Sequence, residues 1–264
     1  MSRVDESMRR LINGLRGGLT FETTFPFSQG EDDFWGFVDN SFLYPAVGAI
    51  VGAILGGIAI LFSYLPEFIA AGTFLVVLYL ICGILHTDGL ADFADGLVTR
   101  GTHSERRSVM KDEKTGAAGL VSIFATNILL FSGLVELFSI DSYYQIFLVV
   151  LTAEVLSKLG MHSVLFFGTS AHEGMASTFM DRMNWLDWAG GLLISVAFSA
   201  LFLEPFVVLP LIMVFLVVFG MVKLGNRVIG GINGDIAGAA GELIRPVTIA
   251  LFVLIYQIDL ISLV

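Results

Sequence analysis

Long apolar runs alternate with short polar connections along this chain. Runs long enough to cross a bilayer cover residues 42–65, 67–86, 117–138, 143–168, 188–203, 206–224 and 244–263. A helix that crosses the hydrocarbon core needs roughly 20 mostly apolar residues, and the fifth run, 188–203, is the shortest. The first two runs meet at Pro66 in a tight hairpin. Upstream, Met8, Leu11, Ile12, Leu15 and Leu19 recur at helical spacing, with Arg9, Asn13 and Arg16 on the other face. The pattern predicts an all-α integral membrane protein with about seven transmembrane helices and an interfacial N-terminal amphipathic helix.

Composition agrees. Of 264 residues, 56% are hydrophobic and 14% charged, against about 25% charged in a soluble domain. The basic residues add an orientation. Arg3, Arg9, Arg10 and Arg16 precede the first run; Arg100, Arg106, Arg107, Lys111 and Lys114 lie between the second and third. Arg182 follows the fourth, and Lys223, Arg227 and Arg245 lie at or between the last two. The opposite connections, around Pro66, Ser139–Ser142 and Glu204–Pro205, have no Lys or Arg. Basic connections stay cytoplasmic, which predicts a cytoplasmic N-terminus. No apolar core precedes Phe42, so a cleavable signal peptide is not expected. The net charge of −10 disfavours nucleic acid as a partner. The single cysteine, Cys82, excludes an internal disulfide framework.

Three polar patches carry candidate chemistry. In His86-Thr-Asp88-Gly-Leu-Ala-Asp92-Phe-Ala-Asp95-Gly96, three aspartates fall at i, i+4 and i+7. On a helix they share one face, where carboxylates repel unless a cation joins them. Their hard oxygens suit Mg²⁺, which binds a few carboxylates plus substrate phosphate. In Met110-Lys-Asp112-Glu-Lys-Thr-Gly116-Ala-Ala-Gly119, Lys111 suits phosphate and Asp112 is a further candidate metal ligand. The glycines there can expose N–H groups at a helix start, where anions bind. Arg106 and Arg107 read as membrane anchoring. The third patch, Gly230 to Glu242, joins Asn233, Asp235 and Glu242 to glycines. Within the fourth run, Glu154 and Lys158 stand at i, i+4 with His162 one turn on. An ion pair inside a span is a functional candidate or a self-satisfying pair.

These pieces resemble the cobalamin synthase family, the adenosylcobinamide-GDP ribazoletransferases. The resemblance rests on Phe21, Thr23 or Thr24 and Pro26, then Asp88 to Gly96, Met110 to Gly119 and Gly230 to Glu242. It implies Mg²⁺-dependent joining of adenosylcobinamide-GDP to α-ribazole or its 5′-phosphate, with release of GMP. The site expected on this basis has Asp88, Asp92, Asp95 and Asp235 as catalytic residues. His86, Arg100, Lys111, Asn233 and Glu242 would bind substrate. Asp88, Asp92, Asp95 and Asp112 would bind the metal, and Asp95 or Asp235 would accept the hydroxyl proton. The expected organisation is one polytopic domain over 1–264. It comprises an N-terminal cytoplasmic segment (1–41) and catalytic segments at 86–116 and 225–243, in the cell membrane with the site facing the cytoplasm. Association with other cobalamin-assembly enzymes stays open. A CDP-alcohol phosphotransferase shares the metal logic, and an ion-coupled transporter would explain charges within a span.

Overall fold

In the computed structural model, residues 3–202 and 208–262 are described. In chain order the helices are α1 (Arg3–Glu22), α2 (Glu31–Asp39), α3 (Leu43–Phe62), α4 (Glu67–Cys82), α5 (Leu85–Val98) and α6 (His103–Met110). They continue with α7 (Ala117–Phe138), α8 (Tyr143–Phe167), α9 (Met175–Met180), α10 (Trp185–Ser199), α11 (Val208–Ile229) and α12 (Gly234–Ser262). Among the described residues the one β feature is an isolated bridge between Ser170 and Ile232.

Five helices are long and apolar enough to cross a membrane: α3, α7, α8, α11 and α12. The α4–α5 pair makes a sixth if its two halves are counted as one bent span. The expected number was about seven. The remaining candidate, α10, has 15 residues, which at a rise of about 1.5 Å per residue is shorter than the hydrocarbon core. The second predicted run also ends differently. The chain turns by 95° between α4 and α5, at Gly83 with φ 71°, a left-handed conformation that favours glycine. The aspartate segment is therefore a separate helix set across the end of α4. The last helix begins ten residues before the predicted run, so the Asp235 segment is its first turn.

Buried along its apolar length, α8 is the axis of the bundle. Its neighbours reach it through small residues. A Cβ on Gly48, Gly52 or Gly56 of α3 would lie 2.8 Å from atoms of α8, so this small-residue seam sets the distance between the two helices. On the other side the Ser157 hydroxyl donates to the Gly241 carbonyl of α12 at 3.0 Å. Meanwhile α7 and α11 expose apolar side chains such as Val121, Phe124, Leu216 and Phe219. That much contiguous apolar surface belongs in lipid.

The N-terminal amphipathic helix is present as α1, but it is not a free interfacial element. Met8, Leu11 and Ile12 are exposed, whereas its packed face is made by glycines. A Cβ on Gly14 would meet the Gly36 carbonyl at 2.7 Å, and one on Gly18 would meet Val47 at 2.7 Å. Arg16 pairs with Asp33 of α2 at 2.8 Å. Helix α2 itself falls inside a segment whose sequence predicts no second helix.

Candidate active site

The i, i+4, i+7 spacing works as expected on α5. Asp88 is exposed, Asp92 half-buried and Asp95 buried. Opposite them, the start of α12 is fixed by backbone. The Ile232 N–H donates to the Thr169 carbonyl at 2.7 Å, and the Ala171 N–H to the Ile232 carbonyl at 2.9 Å. Asn233 caps α12 by accepting from the Ile236 N–H at 3.2 Å, and its amide donates to Asp235 Oδ2 at 2.7 Å. Gly89 lets this turn settle on α5, because a Cβ there would lie 2.8 Å from Asp235 Cα. Asp92 thus has Asp88, Asp235 and Asp95 as electrostatic neighbours, and Asp235 has Asp88, His172 and Lys111.

Asp95 has a separate role. Its oxygens accept from the Gly116 N–H at 2.6 Å and the Gly119 N–H at 2.9 Å. The helix start that the sequence marks as an anion site is therefore filled by the protein's own carboxylate, which joins α5 to α7. Both glycines are needed for the approach, since a Cβ would meet the Asp95 oxygens at 2.5 and 2.6 Å respectively.

Two cavities of about 160 Å³ each meet at Asp235. The first runs into the bundle and is walled mainly by Phe21, Tyr44, Met161, Leu165 and Phe179, with His86 on its lining. The second is polar, with Arg107, Lys111, His172 and Asn233 on its walls. Met175, Ala176, Gly234 and Asp235 border both. Arg107 and His172 were not singled out from sequence as site residues. Arg107 also donates to the Ile229 carbonyl at 2.7 Å, which holds it over this cleft. The only sequence signal for His172 is its place in the connection between the fourth and fifth apolar runs.

The other expected site residues separate into groups. His86, Lys111, Asn233 and Asp235 line the paired cavities. Asp88 and Asp92 sit beside them. Arg100 is exposed just beyond α5 and lines neither cavity. Asp112 is exposed too, with Oδ1 accepting the Lys114 N–H at 3.1 Å. Glu242, expected as a substrate contact, lines neither cavity. It is buried and bound to Arg245 at 2.7 Å, a full two turns along α12 from Asp235.

The ion pair expected between Glu154 and Lys158 does not form. Lys158 pairs instead with Glu22 of α1, and Glu154 with Arg245 of α12 at 2.5 Å. His86 lies 3.7 Å from Glu22. Arg245, counted in the sequence among the basic residues that orient the chain, is therefore an interior residue. All these side chains are buried, and the alternation of signs between helices lets each charge face a partner. The N-terminal Phe21–Pro26 stretch gains weight in the same way. Phe21 walls the apolar cavity, and the Thr24 hydroxyl donates to the Leu80 carbonyl at 2.7 Å, fastening the segment to α4.

Among the described residues, no three His, Cys, Asp or Glu side chains form a metal cage by themselves. Mg²⁺ does not require one, since it commonly takes one or two carboxylates and completes its shell with water and phosphate. The hard-oxygen pair Asp88 and Asp92, one exposed and one half-buried on one face of α5 beside Asp235, fits that pattern.

The family described as cobalamin-5-phosphate synthase matches residues 14–254 of the chain. A relative from Methanocella arvoryzae, named adenosylcobinamide-GDP ribazoletransferase, is 32% identical over 260 residues, covering 89% of this chain and 93% of its own. Relatives of the same name from Thermococcus onnurineus and Pyrococcus abyssi are each 33% identical, covering 88% and 90% of this chain and 93% and 96% of their own. No solved structure matches the chain. Since the match runs from α1 to α12 and takes in every polar patch described above, the chain belongs to the cobalamin-5-phosphate synthase family.

Proposed function

We propose that the chain joins adenosylcobinamide-GDP to α-ribazole or its 5′-phosphate, releasing GMP, with Mg²⁺ as cofactor. The observation that carries this reading is the junction at Asp235 of an apolar cavity, a cationic cavity and the carboxylates of α5. A hydroxyl of the acceptor ribose attacks the phosphorus next to the cobinamide arm. The bond from that phosphorus to the oxygen of GMP breaks, and GMP leaves. Asp235 is placed to take the hydroxyl proton, because Asn233 holds one of its oxygens and orients the other. Asp95 is less suited, as both its oxygens are bonded to α7. Lys111, Arg107 and His172 would hold phosphate oxygens in the cationic cavity. Asp88 and Asp92 would hold Mg²⁺, which when bound supplies charge neutralisation at the diphosphate. The Glu22–Lys158 pair backs the apolar cavity through His86, 3.7 Å from Glu22, and through Met161, whose sulfur accepts from Lys158 at 3.8 Å, whereas Glu154, Arg245 and Glu242 line neither cavity.

The test is direct. Purified protein in detergent with Mg²⁺ should release GMP from adenosylcobinamide-GDP only when α-ribazole or its phosphate is present, and form the joined cobamide in equal amount. GMP release without joining, or joining at full rate in EDTA, would defeat the reading.

We also place the site on the cytoplasmic face of the cell membrane, on the strength of the basic residues around α6. Ser104 and Ser139 are exposed beyond opposite ends of α7. As single cysteines in a Cys82→Ala background, Ser104→Cys should be labelled only after a membrane-impermeant reagent is let inside, and Ser139→Cys from outside. Labelling of both from one face would refute this orientation.

A further inference from the structure

The steps derived above seat no part of either substrate in the apolar cavity, yet it opens at Asp235, the residue placed against the incoming hydroxyl. Its wall is aromatic and ordered. Phe21 and Phe179 have ring centroids 6.1 Å apart, and Tyr44 meets Phe179 edge-on at 5.6 Å. Met161 is buried and Met175 exposed at the rim. Thioethers adapt to flat partners and make favourable contacts with aromatic edges. The cavity volume of about 160 Å³ is close to the ~150 Å³ of a dry apolar cavity known to take up benzene. Unlike a sealed void, it continues into the cationic cavity through the shared residues Ala176, Gly234 and Asp235. A ligand filling both would have a flat apolar ring at one end, an anionic group at the other and a hydroxyl-bearing part between them.

We infer that this cavity is the seat of the acceptor's aromatic base, and that Ala176, Met161 and Phe179 set which base is accepted. The inference rests on the functional reading above, since it takes the acceptor to be an aromatic ribonucleoside. With the ring seated between Phe179 and Met161, the ribose comes to the mouth of the cavity beside Asp235. Base selection is then a matter of shape: a ring that is too wide is stopped at Ala176, and one that is too small leaves apolar wall uncovered.

Two measurements test this in detergent-solubilised full-length protein. The first is equilibrium dialysis with free 5,6-dimethylbenzimidazole, which needs no turnover. Wild type should bind it saturably. Ala176→Leu, at a half-buried rim position on the short helix α9, should weaken binding by about 10-fold, the usual scale for one or two misplaced methyl groups in an apolar pocket. Met161→Phe, from within the cavity, should weaken it similarly. The second is steady-state kinetics. Ala176→Leu should raise KM for α-ribazole by about 10-fold, and less for the unmethylated benzimidazole nucleoside, while KM for adenosylcobinamide-GDP holds. Absence of saturable binding to wild type overturns the inference, as does equal binding by wild type and both variants. Displacement of the base by GMP would instead give the cavity to the donor's guanine and equally overturn it. If the base binds as expected but wild type releases no GMP, the functional reading fails and the base site stands. If GMP release is normal but the base does not bind, the reverse holds.

Discussion

Asp92→Asn should release GMP about 10²–10³-fold more slowly than wild type, the scale of removing one preorganised electrostatic group from a phosphoryl or acyl transfer site. It should do so in a protein that is no less stable. Asp92 lies half-buried among Asp88, Asp95 and Asp235, so the amide keeps its volume while removing one of several mutually repelling charges. The charge that is lost is the one proposed to hold Mg²⁺ against the diphosphate. Asp88→Asn should behave alike. Asp95→Asn should differ, because its carboxylate caps α7 through Gly116 and Gly119. There the loss of activity should come with a loss of stability of about 1–2 kcal/mol, as for other helix caps. GMP release and thermal unfolding in the same detergent separate the two cases. An Asp92→Asn enzyme with the wild-type rate at saturating Mg²⁺ would rule out the proposed metal position, and equal destabilisation by Asp92→Asn and Asp95→Asn would rule out the separation of roles.

The largest effect on folding is expected at Arg245. Its guanidinium is the one cation in contact with both Glu154, at 2.5 Å, and Glu242, at 2.7 Å, among the described residues. Arg245→Met leaves two buried carboxylates without it. Breaking a buried pair by removing one partner costs about 3–5 kcal/mol, and a charge stranded in a membrane bundle is no cheaper. The variant should be recovered in low yield or unfold far below wild type. The triple variant Glu154→Gln, Arg245→Met, Glu242→Gln removes the charges together and should regain most of the lost stability. The unfolding midpoints of wild type, single and triple variants decide the matter. An Arg245→Met protein as stable as wild type would mean that this contact does not hold the bundle.

Much of this architecture is legible in the sequence, for a physical reason. Helices facing lipid must be apolar over a bilayer's thickness, so α3, α7, α8 and α11 announce themselves as runs. The aspartates of α5 are legible by spacing, since i, i+4 and i+7 share a face whatever lies opposite. Partners across the bundle are not. Glu154 and Lys158 are near in sequence, and local spacing pairs them, yet their partners Arg245 and Glu22 sit on other helices. Composition also hid α2, a nine-residue helix opening with Glu31, Asp32 and Asp33, which looks like a solvated loop until Gly36 is seen against Gly14. Gly116 and Gly119 mark a helix start that offers free N–H groups, and in the fold these donate to a carboxylate. That the anion is Asp95 depends on tertiary structure, which spacing does not encode.

The crossing contact between α8 and α12 also bears on the order in which the chain is made. Glu154 leaves the ribosome 91 residues ahead of Arg245. Through all of that interval the central helix holds a carboxylate whose lasting counter-ion has not been synthesised, with Lys158 one turn away as its nearest cation. The bundle's charge balance is completed by the final helix. A nascent chain stopped before Arg245 therefore lacks the counter-ion that Glu154 has in the finished bundle, and this contact can close only once α12 has been made.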